Sequence, residues 1–148
     1  MPLTNLFPLS LYNSKIILSN DEKKNLVDHI LQCKKKGENK RYKENTFAWT
    51  GDQEGYGEIH NQEIFKNLFE NIKIKVIEYL DLLSIDHTQL DIYFQRSWAT
   101  ISEEKEFIGR HSHSQSHLSF AYYLKKNEND SKIIFWDTHK ANEFIPEL

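Results

Sequence analysis

Apolar positions recur with a helical period early in the chain and with a period of two later on, and this switch predicts the order of elements. Leu26, Val27, Ile30 and Leu31 fall on one face of a helix that starts at Asn20 as its cap. Asp21 and Glu22 sit in its first turn, where acids suit the positive end of the helix dipole, and it runs out at Lys34-Lys35-Lys36-Gly37. A second, stronger helix is predicted from Asn61 to Leu83. Its stripe is Phe65, Leu68, Phe69, Ile72, Val76 and Leu80, with lysines and glutamates over much of the remainder. Residues 37–60 between the two are polar and irregular, with Gly51, Gly55 and Gly57 as turn points.

The period of two appears in "LDIYFQRSWATIS", where Leu90, Ile92, Phe94 and Trp98 share one parity, as on a half-buried strand. "HLSFAYYLKK" and "SKIIFWD" read as two further strands, joined by the polar turn "KKNENDSK". Near the start, "LFPLSLYNSKIIL" reads as one or two short strands, with Pro8 suited to a sheet edge. Helices first and strands later give an α+β order with an antiparallel sheet.

Composition narrows the class without naming a function. The 148 residues suffice for one domain, 39% of them hydrophobic and 28% charged. A net charge of −3 gives no general attraction to nucleic acid or to an anionic membrane. The lysine-rich "KKKGENKRYK" therefore reads as a solvated loop and not as a phosphate grip. Cys33 is the single cysteine, so no intrachain disulfide exists and a reducing compartment is the simpler assumption. No stretch has the length of a membrane span, and the first residues lack the charged start and long apolar core of a signal peptide. A cytoplasmic protein is expected.

The candidate chemistry lies in "GRHSHSQSHLSFAYYL", Gly109 to Leu124. On an extended chain residues i and i+2 point the same way, about 6–7 Å apart. His111 and His113 can therefore direct two imidazoles at one point. Neutral imidazole is a common ligand for iron and zinc, yet a His-x-His pair by itself is more often a surface accident. His117 reads as a strand-entry residue, and His60 as a helix-start residue. His29, His87 and His139 are expected at the surface, and Phe120, Tyr122 and Trp98 are as well explained by packing as by chemistry.

Trp98, followed by "HSHSQSHLSFAYYL" and then "KIIFWD", resembles the core motif of the 2-oxoglutarate and Fe(II)-dependent oxygenase superfamily. The likeness is to a group frequent in phages and marine bacteria, and the upstream "WTGDQEGYGEIHNQEIFKNLFENI" resembles that group as well. The resemblance implies a double-stranded β-helix, a jelly roll of cupin type, backed by the long helix. One domain would span residues 1–148, with helical support at 20–83 and the first part of the jelly roll at 88–148. It implies Fe(II) and 2-oxoglutarate as cofactor and cosubstrate, with His111 as the first metal ligand and His113 as the second. His113 stands where most of the superfamily has Asp. Tyr123 would contact the far carboxylate of 2-oxoglutarate, Trp98 would wall the pocket, and Asp137 matches the motif without an assigned role.

Two departures from the family pattern shape the expectation. An imidazole in place of a carboxylate leaves the site more positive and alters its redox behaviour. After His113 only 35 residues remain, with no arginine, and with His117 and His139 as the only further histidines. A barrel needs more strands than that, so an incomplete jelly roll is expected. The leading reading is a hydroxylase-type dioxygenase acting on a protein side chain, a nucleobase or a small metabolite. The alternatives are a non-catalytic jelly-roll module of phage type and a cupin-like metal protein that uses no 2-oxoglutarate.

Overall fold

A computed structural model of the chain describes residues 10–36, 47–113, 115–130 and 132–136. Two 17-residue helices organise it: α1, Asn20–Lys36, and α2, Lys66–Leu82. Between them lie strand β1, Trp49–Thr50, and single 3-10 turns at Gly51–Glu54, Ile59–Asn61 and Glu63–Phe65. After α2 come a turn at His87–Gln89 and strand β2, Thr100–Ile101. None of the helices among the described residues is long and apolar enough to cross a membrane.

The start of α1 is fixed by Ser19 and not by Asn20. Ser19 accepts the first helical bond at its carbonyl from the Lys23 amide (3.0 Å), which makes it the N-cap. Its hydroxyl accepts from the Glu22 amide (3.2 Å), while the Glu22 carboxylate accepts from both the Ser19 amide (2.8 Å) and the Ser19 hydroxyl (2.7 Å). This is a capping box, Ser-x-x-Glu, which satisfies two otherwise orphaned donors. The Ser19 hydroxyl, then the Ser19 amide, then Asn67 on α2 hold the Glu22 carboxyl below its ordinary range. A depressed carboxyl stabilises the fold above the ordinary carboxylate range, and that contribution is lost as pH falls through the lowered value. Ser19→Ala is expected to cost about 1 kcal/mol and to flatten the acid limb, as read by urea unfolding at neutral and acidic pH.

Helix α2 buries the stripe its sequence predicts. Leu68, Phe69, Ile72 and Leu80 are buried, and Phe65, in the turn before the helix, is 2% exposed. The five residues from Asn61 to Phe65 are 3-10 and extended instead of α-helical, because Gln62 is extended (φ −89°, ψ 130°). On α1 the buried face is Leu26 and Cys33 with Ile30 beside them, while Leu31 is 41% exposed. Leu18, Leu26, Ile59, Phe65, Leu68, Phe69 and Ile72 form one core cluster.

The sheet is small. β1 and β2 pair antiparallel, Trp49 opposite Ile101 and Thr50 opposite Thr100. Gly51 follows at a crowded point. A Cβ there would stand 3.2 Å from the Trp49 ring and 3.3 Å from the Tyr56 Cβ, so the turn packs tightly only with glycine. Gly55 ends that turn in the left-handed region at φ 85°.

The remaining expected strands are absent from the described residues, and the reason is the same in each case. A strand requires a hydrogen-bonding neighbour, whereas residues 16–18 and 122–124 meet the core through alternate side chains and Ile133, Ile134, Phe135 and Trp136 are exposed. Residues 10–19 have no strand. Ile16 packs on the core and Leu18 is buried, while Ile17 between them is 90% exposed. This strap is pinned by side chains: Tyr12 donates to Glu78 (2.6 Å) and stacks on Tyr79, whose hydroxyl donates to the Ser10 carbonyl (3.2 Å). Residues 117–130 and 132–136 also form no strand, yet Tyr122 and Leu124 pack on the core while Tyr123 is 51% exposed. The expected polar turn does form, with the Asn127 amide donating to Asp130 (2.6 Å).

Candidate functional site

The stretch before the histidines shows how the site is aimed. Ile92 and Phe94 face inward with one parity, but a bend at Gln95 shifts the register. Beyond it Ser97 is buried and Ala99 packs on the core, so Trp98 turns to the other side. The parity expected for Trp98 across the whole segment is thereby corrected: it lies away from the Phe94 face.

Ser97 locks this arrangement. Its amide donates to the Gly57 carbonyl (3.0 Å), and its carbonyl accepts from the Ile59 amide (3.1 Å). Its hydroxyl accepts from the His60 amide (3.0 Å) and lies 2.7 Å from His60 Nδ1. His60 is thus a structural residue at the head of the α2 region, packed near Phe69 and Phe94. His29 is not a surface residue: it is half-buried, bonds Gln62 through Nε2 (2.8 Å), and meets Phe65 edge-on. His87 pairs with Asp81 (2.8 Å), and His117 is exposed. Asp137 and His139 lie outside the described residues.

His111 and His113 come together. Their ring centroids are 4.9 Å apart at an interplanar angle of 77°, and both residues are exposed. His111 Nδ1 is 2.8 Å from the Gly109 carbonyl. A carbonyl only accepts, so Nδ1 carries the proton and the neutral ring presents its lone pair at Nε2. A backbone carbonyl behind one nitrogen is the usual means of orienting a metal-binding imidazole. The Trp98 ring lies 5.8 Å from that of His113, and the Arg96 guanidinium sits 5.5 Å over Trp98. Tyr123 is half-exposed, and the Lys126 ammonium stands 5.6 Å from its ring.

The donor set fits Fe(II) as a pair of nitrogen ligands. With a metal–nitrogen distance of about 2.1 Å, two imidazoles at right angles around one ion have centres about 4.5 Å apart, close to the observed separation. Among the described residues no group of three or more His, Cys, Asp or Glu is placed to hold a metal. The pair is therefore what the described residues offer, and a facial triad would need one more ligand. Arg96 was not singled out by motif reasoning, although "RSW" places it two residues from Trp98, on the same side of an extended chain.

No curated protein and no solved structure matches the chain. Residues 96–147, which hold Trp98, His111, His113 and Tyr123 but neither helix, match the model of a family described as "Putative 2OG-Fe(II) oxygenase".

Proposed function

We propose that residues 88–148 belong to a non-haem Fe(II)- and 2-oxoglutarate-dependent oxygenase of hydroxylase type, built as a jelly roll with α1 and α2 in support. The single observation that carries this reading is the carbonyl-oriented His111 ring meeting the His113 ring inside the matched segment. When bound, Fe(II) and 2-oxoglutarate supply oxidation of a C–H bond by dioxygen.

The chain's own part is ligation and orientation. His111 offers Nε2 while its Nδ1 proton stays on the Gly109 carbonyl, and His113 offers the second nitrogen. The Trp98 ring lies beside His113 and flanks the ring on one side. Tyr123 presents its hydroxyl, a donor suited to the far carboxylate of 2-oxoglutarate, while the Lys126 ammonium, 5.6 Å from the Tyr123 ring, donates to the Asp130 carbonyl.

The test is anaerobic addition of Fe(II) and then 2-oxoglutarate to the full chain, followed by visible absorption. A weak charge-transfer band that needs both additions is the expected result. Metal binding that does not respond to 2-oxoglutarate would favour the cupin-like metal protein. Absence of metal binding would leave the non-catalytic module.

A further inference from the structure

Arg96 stands out because it is held from several sides and yet unsatisfied. Its guanidinium lies over the Trp98 ring at 5.5 Å. The Gly57 backbone flanks it so closely that a Cβ there would sit 3.6 Å from a guanidinium nitrogen. Asp52, the acid that meets it, does so through one nitrogen and one oxygen at 3.5 Å. A paired guanidinium and carboxylate normally approach to about 2.7–2.9 Å, often through two parallel bonds. Asp52 thus tethers Arg96 without filling its fork, and the side chain remains 58% exposed.

The location gives that open fork a meaning. Trp98 is shared: one contact is Arg96, the other is His113. The guanidinium and the His113 ring therefore contact the same indole and lie no farther apart than about 11 Å. A cation–π contact with an indole restrains the guanidinium without using its N–H donors, which stay available to an oxyanion. Arg110 offers an internal comparison, because it too is exposed and in cation–π contact with an indole, at 5.4 Å from the Trp136 ring centre. No acid meets Arg110 among the described contacts, and its indole is not part of the histidine cluster.

We infer that Arg96 is the substrate-recognition residue of this site, and that the primary substrate carries a carboxylate or phosphate which the guanidinium grips while the group to be oxidised lies at the histidine pair. The recognition role as such rests on the oxygenase reading. The oxyanion site does not require it, since the geometry of Arg96, Asp52, Gly57 and Trp98 is metal-free.

The experiment is titration of the full chain with succinate and, separately, inorganic phosphate at low ionic strength, following the side-chain Nε–H resonances of Arg96 and Arg110 by NMR. Saturable movement of the Arg96 signal with a smaller response at Arg110 is expected. Arg96→Gln should weaken binding about tenfold, Arg96→Lys should recover part of it, and Arg110→Gln should leave it unchanged. A stronger response to succinate identifies a carboxylate substrate, and a stronger response to phosphate a phosphorylated one. Equal movement at both arginines, or unchanged affinity in Arg96→Gln, overturns the inference. Zn(II) binding, measured in parallel on the same variants, separates the two ideas. Absence of anion binding by the parent chain with intact metal binding sinks the Arg96 site alone, whereas anion binding by a parent chain that takes up no metal keeps the site and removes the oxygenase reading.

Discussion

Phe65→Ala is expected to lower the unfolding free energy by about 3–5 kcal/mol, a large share of the total for a domain of this size. Phe65 is 2% exposed and belongs to the central cluster. Its ring meets Phe69 edge-on at 6.4 Å and His29 at 5.7 Å, so truncation removes aromatic geometry as well as volume. It also sits where the turn at Glu63–Phe65 hands over to α2, with its amide donating to the Gln62 carbonyl (2.9 Å). The cavity left behind therefore opens between α1, which carries His29, and the first turn of α2. Urea unfolding should show a lower midpoint with an unchanged slope. Leu82→Ala, at a position 69% exposed, should stay within about 0.5 kcal/mol of the parent. Similar costs at the two positions would mean that the core is elsewhere.

The helices were legible because their signal is local and complete. Every position of the α2 stripe, from Phe65 to Leu80, is buried or packed against the core. A 3.6-residue period needs no partner outside the helix to be realised. The strands were only half legible, for a reason that Ile16, Ile17 and Leu18 make plain. Alternation reports that an extended chain is covered on one side. It is silent on whether a hydrogen-bonded neighbour lies alongside, because side chains and ladder bonds point in perpendicular directions. Tyr122, Tyr123 and Leu124 repeat the lesson with the core on one side and solvent on the other.

At the site, the pairing of His111 with His113 followed from the i, i+2 rule, and that pairing is what the structure contains. The setting was less accessible. The approach of Trp98 to His113 depends on the bend at Gln95 and on Ser97 being drawn inward by Gly57, Ile59 and His60. Those are contacts across nearly 40 positions of sequence, and no local pattern announces them. Tyr123 remains a reading by resemblance, since its observed neighbour is Lys126.

The largest functional effect is expected from His111→Ala, which should lower affinity for Zn(II) or Fe(II) by more than about a hundredfold, because loss of an outer-shell partner alone costs about 10–100-fold. The orientation of the ring would make His111 the stronger of the two proposed ligands: its Nδ1 lies 2.8 Å from the Gly109 carbonyl, which leaves Nε2 available without rearrangement. His113 has the Trp98 ring at 5.8 Å and no comparable anchor among the described contacts, so its ring must be held by the ion as much as it holds it. His113→Ala should accordingly weaken binding less than His111→Ala. His113→Asp should retain the metal, since a carboxylate is a good oxygen ligand, while reducing the positive charge of the site and so changing the energy of any visible band with bound 2-oxoglutarate. Acidification should weaken binding in the parent, because a proton competes with the metal for each imidazole. Calorimetric titration with Zn(II), repeated with Co(II) to read the ligand field, measures all four outcomes. Parent-like binding by His111→Ala would mean that the two rings meet for packing alone, and the metal centre would have to be sought elsewhere in the chain.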